Sequence, residues 1–262
     1  MNSDNCRWNS SGVGVLEVGV FIFYFAVVGT PRCGVRSAQR AAPTFRRINL
    51  VTIIQFCNNT IVSFSFQPGN AERFQAALRR FDGENSRDPN SEIVNGTPQP
   101  REAVHAQWLT DWVLRLCPDA SEALRLAARC QHLCRWMIPR DSQPMTRAGY
   151  LKWREELKKF HAKRAGEILR EAGYPENLVQ QVQNLNLKRN FPGDPESRVL
   201  EDALCLVFLQ HEFAALAGKT SDEKMIGILQ KTWRKMSPAS QAEALKLSCS
   251  PREKALLERA LK

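Results

Sequence analysis

The chain has 262 residues, with 37 Lys and Arg against 27 Asp and Glu, a formal charge of +10 and a pI near 9.4. That length suffices for one domain of ordinary size with an extension, and the composition is that of a soluble globular protein. The positive balance favours an anionic partner, either nucleic acid or a phosphorylated small molecule. Eight cysteines at irregular spacings (Cys6, Cys33, Cys57, Cys117, Cys130, Cys134, Cys205 and Cys249) exclude a disulfide-stapled scaffold and point to a reducing compartment, the cytoplasm.

Residues 1–66 differ from the rest. Gly12 to Gly29 is apolar except for Glu17, and Arg32, Arg36, Arg40, Arg46 and Arg47 follow it. Two readings stand side by side. Either 12–29 is a marginal single membrane span with its positive flank in the cytoplasm, or residues 1–66 are a poorly structured hydrophobic extension outside the folded unit. The second reading draws on the methionines: after Met1 the next is Met137, as a start codon placed too far upstream would produce.

From residue 70 onward the apolar spacing is helical. The first predicted helix covers 71–81, and the polar stretch 82–100 reads as a loop. A strong helix follows over 101–117, ended by Pro118. Ser121 caps another that runs through Cys130 toward Trp136 and stops at Pro139. Helices are then expected over 146–172, with Gly173 as its C-cap, and over 176–187, 196–217, 222–235 and the 239–262 region, while 188–195 is a loop. No run in 70–262 alternates at period two, so the fold class is all-α, a multi-helix bundle over 70–262.

Cys130 and Cys134 would share a helix face, with His132 pointing away from both, so these thiols read as small apolar core groups rather than metal ligands. His105, His132 and His161 fall on three successive predicted helices beside core-facing residues, and a fourth helix offers Glu201 and Asp202. Bundle helices that project imidazoles and carboxylates inward build metal sites; the plainer alternative is that each histidine is a satisfied core or surface residue. Arg135, Arg140, Arg147, Lys152 and Arg154 crowd into twenty residues and are candidates for binding phosphate oxygens. Trp136, Tyr150 and Trp153 lie among them as candidates for stacking on a base. Each cation also has an ordinary reading as solvated helix surface.

Several blocks in order (Arg129 to Trp136, Ile138 to Arg140, Gly149 to Arg154, Leu200 to Leu209 and Lys231 to Ser237) closely resemble the family called domain of unknown function 4202 over about residues 72–262. Gln143 departs mildly from the family's aromatic residue. More remotely, the order His105, His132, His161, Asp202 is similar to the HD superfamily of metal-dependent phosphohydrolases. That resemblance implies an HD-domain-like helical fold and a divalent metal (Zn, Mn, Fe or Ni) held by His105, His132 and Asp202. His161 would be a fourth ligand or general acid, with Asp202 and His161 taking part in catalysis. The substrate it implies is a phosphorylated small molecule or nucleotide. One departure bears on activity: Leu133 follows His132 where the superfamily has its metal-binding and catalytic Asp. The rival expectation is therefore an inactive HD-like module that binds nucleotide or RNA through the basic and aromatic surface. Lys235-Met236-Ser237 is similar to the signature loop of class I aminoacyl-tRNA synthetases. That function is excluded, because no Gly-rich strand-to-helix turn or parallel-sheet pattern accompanies the tripeptide.

Overall fold

A computed structural model describes residues 66–262 in full and, before them, the backbone of four short strands. The chain divides into two units, Met1–Ile53 and Ile54–Lys262. In the first, β1 (Val13–Val18) and β2 (Phe21–Ala26) pair antiparallel, Val13 opposite Ala26. Within the span considered for residues 12–29, Val13–Val18 and Phe21–Ala26 are these strands, and the other residues lie outside those described. Among those described, no helix is long and apolar enough to cross a membrane. In the second unit, β3 (Phe56–Cys57) and β4 (Thr60–Ile61) form a short ladder ahead of the helices.

The remainder is a mostly-α, multi-helix fold. Helix α1 (Ala71–Asn85) is capped by Asn70, whose side chain accepts the Arg73 N–H, and it runs one turn past the expected end at 81. The stretch expected to be a loop instead carries a hairpin, β5 (Ser91–Val94) and β6 (Thr97–Pro100). Its turn is Asn95-Gly96, both at positive φ (51° and 78°), the backbone that a tight two-residue hairpin demands and that Asn-Gly supplies. That dipeptide was the legible signal; with strands only four residues long, no alternation could develop around it.

Helix α2 (Arg101–Leu116) follows β6 directly, and α3 (Glu122–Cys130) begins at Ser121, which caps the Leu124 N–H. Helix α3 stops six residues short of Trp136. The chain turns at Gln131 to Cys134, with Cys134 left-handed at φ 55° and its N–H donated to the buried Asn85 side chain at the end of α1. A bond across 49 positions of sequence thus breaks a helix that local propensity would have continued. Cys130 and Cys134 consequently do not share a helix face, although both are buried free thiols. Two 3₁₀ turns lead to α4 (Arg147–Glu171), capped by Thr146 and ended by Gly173 at φ 79°. Then come α5 (Glu176–Leu187) and α6 (Pro195–Val207). A single π-turn (Phe208–Glu212) passes α6 into α7 (Phe213–Ala217). Last are α8 (Asp222–Lys235), α9 (Pro238–Ala244) and α10 (Pro251–Leu261), each capped by a serine.

Helix α2 packs against α3 and α6, α3 against α5, and α5 against α4. The core between them holds Leu109 and Val113 of α2, Leu124 and Leu126 of α3, Ile168 and Leu169 of α4, and Leu200 and Leu206 of α6, all buried.

Candidate metal centre and its cleft

Asp88, just before the hairpin, fixes the start of α2. Its carboxylate accepts the Glu102 N–H (3.0 Å) and, from the other oxygen, the Asn90 N–H and side-chain amide (2.9 and 2.8 Å). One orphan first-turn donor of α2 is thereby satisfied. Glu102 and His105, one turn apart, then point to the same side, and both are buried. His132 reaches them from the turn after α3, not from a helix as its sequence context led one to expect. Its ring centroid is 4.4 Å from that of His105 and its Nδ1 is 3.8 Å from Glu102 Oε2. On the other side, His161 of α4 stands with its ring centroid 5.8 Å from that of His132.

One ligand atom each from Glu102, His105 and His132 falls within 4.8 Å of the others, a grouping that could hold a metal ion. Glu102 Oε2, His105 Nδ1 and His161 Nε2 are buried polar atoms without a hydrogen-bond partner. Orphans of this kind are rare because each forfeits solvation without replacement. Three of the six such atoms among the described residues belong to this group of side chains.

The electrostatics agree. Burial pushes the Glu102 carboxyl up to about 7 against the pull of Arg135, whose Nε lies 3.8 Å from Glu102 Oε1. Burial, with help from Arg135, drives His105 down to about 3, and burial lowers His161 to about 4. His132 is depressed well below the ordinary imidazole range by burial and then by the neighbouring His105, Arg135, His161 and Lys188. All three imidazoles are therefore neutral at pH 7, offering lone pairs instead of charges. Two imidazoles and a carboxylate suit a borderline divalent cation such as Zn, Mn, Fe or Ni.

The cluster opens into a cleft of about 340 Å³. Arg101, Arg135 and Lys219 line it alongside Glu92, Trp108, His211 and Glu212. His211 and Glu212 come from the π-turn. The extra residue of such a turn re-aims side chains and recurs at functional sites. His211 stacks flat on Trp108, with centroids 3.7 Å apart and planes within 2°. Glu212 Oε1 lies 3.5 Å from His105 Nε2. The same Trp108–His211 pair forms a wall of a second cleft of about 230 Å³. Sequence reading missed Glu102, Trp108, His211 and Glu212. Only Glu102 carried a local signal, the Glu-x-x-His spacing that puts a carboxylate one turn before an imidazole.

Asp202 is not among the clustered ligands. Its Oδ1 accepts the Ser237 N–H at 2.8 Å, tying α6 to the start of α9. Its neighbour Glu201 is buried between Lys188 and Lys235, and Lys235 Nζ is 3.2 Å away. Of the five cations considered for phosphate, only Arg135 lines the metal cleft. Arg140 donates to the carbonyls of Gln143, Pro144 and Thr146, while Arg147, Lys152 and Arg154 stand exposed on α4. Of the three rings, Trp136 packs half-buried against the core and Trp153 is buried, its indole N–H donated to the Ile138 carbonyl at 2.9 Å. Tyr150 alone is exposed. Part of the stretch is nevertheless gathered in space: the Arg135 and Arg140 guanidinium carbons lie 5.3 and 5.8 Å from the Trp153 ring centroid, and those of Arg140 and Arg154 lie 5.7 and 5.8 Å from that of Tyr150, while only Arg135 of the set lines the cleft.

No curated protein and no solved structure matches the chain. A family model described as "Domain of unknown function (DUF4202)" matches residues 75–257, which takes in every residue of the cluster. The chain belongs to that family, whose description assigns it no activity.

Proposed function

We propose that this protein is a divalent-metal-dependent phosphohydrolase acting on a small phosphorylated molecule. The observation that carries the reading is the convergence of Glu102, His105 and His132, within 4.8 Å of one another, on a cleft that also presents Arg101, Arg135 and Lys219. A divalent cation held there supplies Lewis-acid polarisation of a phosphoryl oxygen and a nucleophile available at neutral pH. The chain does the rest. Arg135 offers a planar guanidinium for two-point contact with phosphate oxygens, and Arg101 and Lys219 add charge at the mouth. Glu102, with its proton held to about pH 7 by burial, releases it when a cation draws near. His161 keeps its Nδ1 proton on the Leu133 carbonyl (2.7 Å), which leaves Nε2 as a lone pair. A volume of about 340 Å³ accommodates a small molecule, and a duplex would not enter it. The free thiols at Cys117, Cys130, Cys134, Cys205 and Cys249 favour a reducing compartment, so we assign the activity to the cytoplasm.

One observation favours a second reading. A buried Leu133, and no carboxylate, follows His132, and a module that holds cation and anion without turnover fits that departure. Metal analysis of the full chain, with a phosphatase and nucleotidase screen in added Zn, Mn, Fe or Ni and His132→Ala as control, separates the two. Metal and turnover both lost in the variant support the hydrolase. Metal lost with no turnover in either protein supports the binding module. Unchanged metal content and unchanged activity reject both.

A further inference from the structure

Seven large apolar side chains are exposed among the described residues, and four of them fall between 137 and 151: Met137 (62%), Met145 (77%), Tyr150 (41%) and Leu151 (57%). The segment that bears them is held in place. Arg140 ties its guanidinium to the Gln143, Pro144 and Thr146 carbonyls, and Trp153 takes the Ile138 carbonyl. Gly149 lies so close under Pro144 that an added Cβ would sit 2.1 Å from the Pro144 carbonyl oxygen. The loop is thus laced onto the first turns of α4, with Met137 and Met145 beside those attachment points.

On α4 itself, Gly149, Trp153 and Leu157 face the core. Arg147, Tyr150, Leu151 and Arg154, at spacings of three and four, make an exposed stripe adjoining that face, and Lys152 is exposed on another side of the helix. Residues 137–154 contain four cations (Arg140, Arg147, Lys152, Arg154) and one acid, Asp141. Arg147, Lys152 and Arg154 form no ion pair among the described residues, while the nearby acids are engaged elsewhere: Glu155 with Lys158 and Glu156 with Gln143. With Glu155 paired to Lys158 and Glu156 bonded only to a neutral amide, the four cations face two acids, Asp141 and Glu156, beside the exposed aliphatic groups of the loop and of α4, and neither cleft described above includes these exposed residues.

We propose that this face is a docking surface for an anionic lipid bilayer. Charge complementarity selects a negative partner. The side chains select among negative partners: Met137, Met145 and Leu151 are aliphatic, gain nothing from stacking on bases, and gain by leaving water for the boundary of the acyl chains. With Trp153 buried, Tyr150 is the one exposed ring of the stripe, too little for a single-stranded nucleic acid platform. A helix face with cations around an aliphatic centre fits a flat interface, with the basic side chains at the depth of the headgroups. The proposal does not depend on the metal cleft or its chemistry.

The test uses the full chain with vesicles of phosphatidylcholine alone or mixed with phosphatidylserine. It is read by co-sedimentation and by hydrogen exchange over residues 137–154. The expected result is binding to the anionic vesicles with slowed exchange in that segment. Two variants of exposed residues, Arg147→Gln/Lys152→Gln/Arg154→Gln and Met145→Ser/Leu151→Ser, should each weaken partitioning, the first by about 100-fold at roughly five-fold per cation. Their thermal melts should match the parent. Binding unchanged in both variants, or binding without slowed exchange in 137–154, overturns the proposal. So does slowed exchange there with a single-stranded RNA oligonucleotide and none with vesicles.

Discussion

His161 and Leu133 are joined by a hydrogen bond of 2.7 Å from the imidazole Nδ1–H to the backbone carbonyl. A carbonyl can only accept, so the proton sits on Nδ1. Burial holds the ring near a pKa of 4, so at pH 7 it is neutral and Nε2 carries a lone pair. That nitrogen is buried and unpartnered. Leu133 thus fixes the tautomer of His161 through its backbone, the role an outer-shell partner would have if His161 faced a metal ion. His161→Ala should weaken zinc binding about 10- to 100-fold, measured by competition with a chromogenic chelator. A lower melting temperature with an unaltered zinc affinity would reduce His161 to a packing residue.

Glu102 makes the metal-free protein respond to pH in an identifiable way. Its folded value of about 7 lies above the ordinary 4.5, so the stability it lends is complete below pH 4.5 and disappears as pH rises through 7. His105 and His161 work in the opposite sense. Depressed to about 3 and about 4 from 6.5, they lend stability above pH 6.5 that is lost as pH falls through those values. Subtracting Glu102→Gln from the parent isolates the carboxyl. The variant should gain on the parent by on the order of 3 kcal/mol between pH 4.5 and 7.5, read from urea unfolding in the presence of chelator. Parallel pH curves would show that Glu102 is ordinarily ionised.

Asp202 has a structural assignment that can be told from a ligand's. Its carboxylate accepts the Ser237 N–H between α6 and α9, and Asp202→Asn weakens a charge-assisted bond. The expected cost is about 1 to 2 kcal/mol in unfolding free energy, with metal content unchanged. Metal loss in a folded Asp202→Asn protein would return this residue to the coordination sphere.

Trp153 is a core residue whose indole N–H is used internally. Trp153→Phe should cost about 1 kcal/mol through the lost bond, leaving phosphate or nucleotide affinity as it was. An affinity that falls while stability holds would instead assign the ring to a ligand.

Much of the helical framework could be read from periodicity and punctuation. Ser121, Thr146, Ser221 and Ser250 cap helices by the same local chemistry wherever they occur, and Gly173 ends α4 for want of a Cβ at φ 79°. The departures had two causes, one distant and one local. Asn85 captures the Cys134 N–H and ends α3 early, and the Asn95-Gly96 turn folds a polar stretch into a hairpin too short to show alternation. In the site, the three histidines were visible as residues. Of their company only Glu102 left a local sign, its place three residues before His105, while His211 and Glu212 are brought to the cleft by a π-turn that no spacing rule anticipates.

The sequence by itself determined a basic, mostly helical chain with histidines beside apolar positions, because capping, amphipathic period and charge are properties of neighbours a turn or two apart. Tertiary structure alone decided which of those polar groups meet. It drew Glu102 into the cluster with His105 and His132, set Asp202 against Ser237, and left Arg147, Lys152 and Arg154 on an outer face. The reason is physical: convergence depends on where helices cross and where turns redirect the chain. Those choices minimise the free energy of the whole core and leave no trace in local spacing.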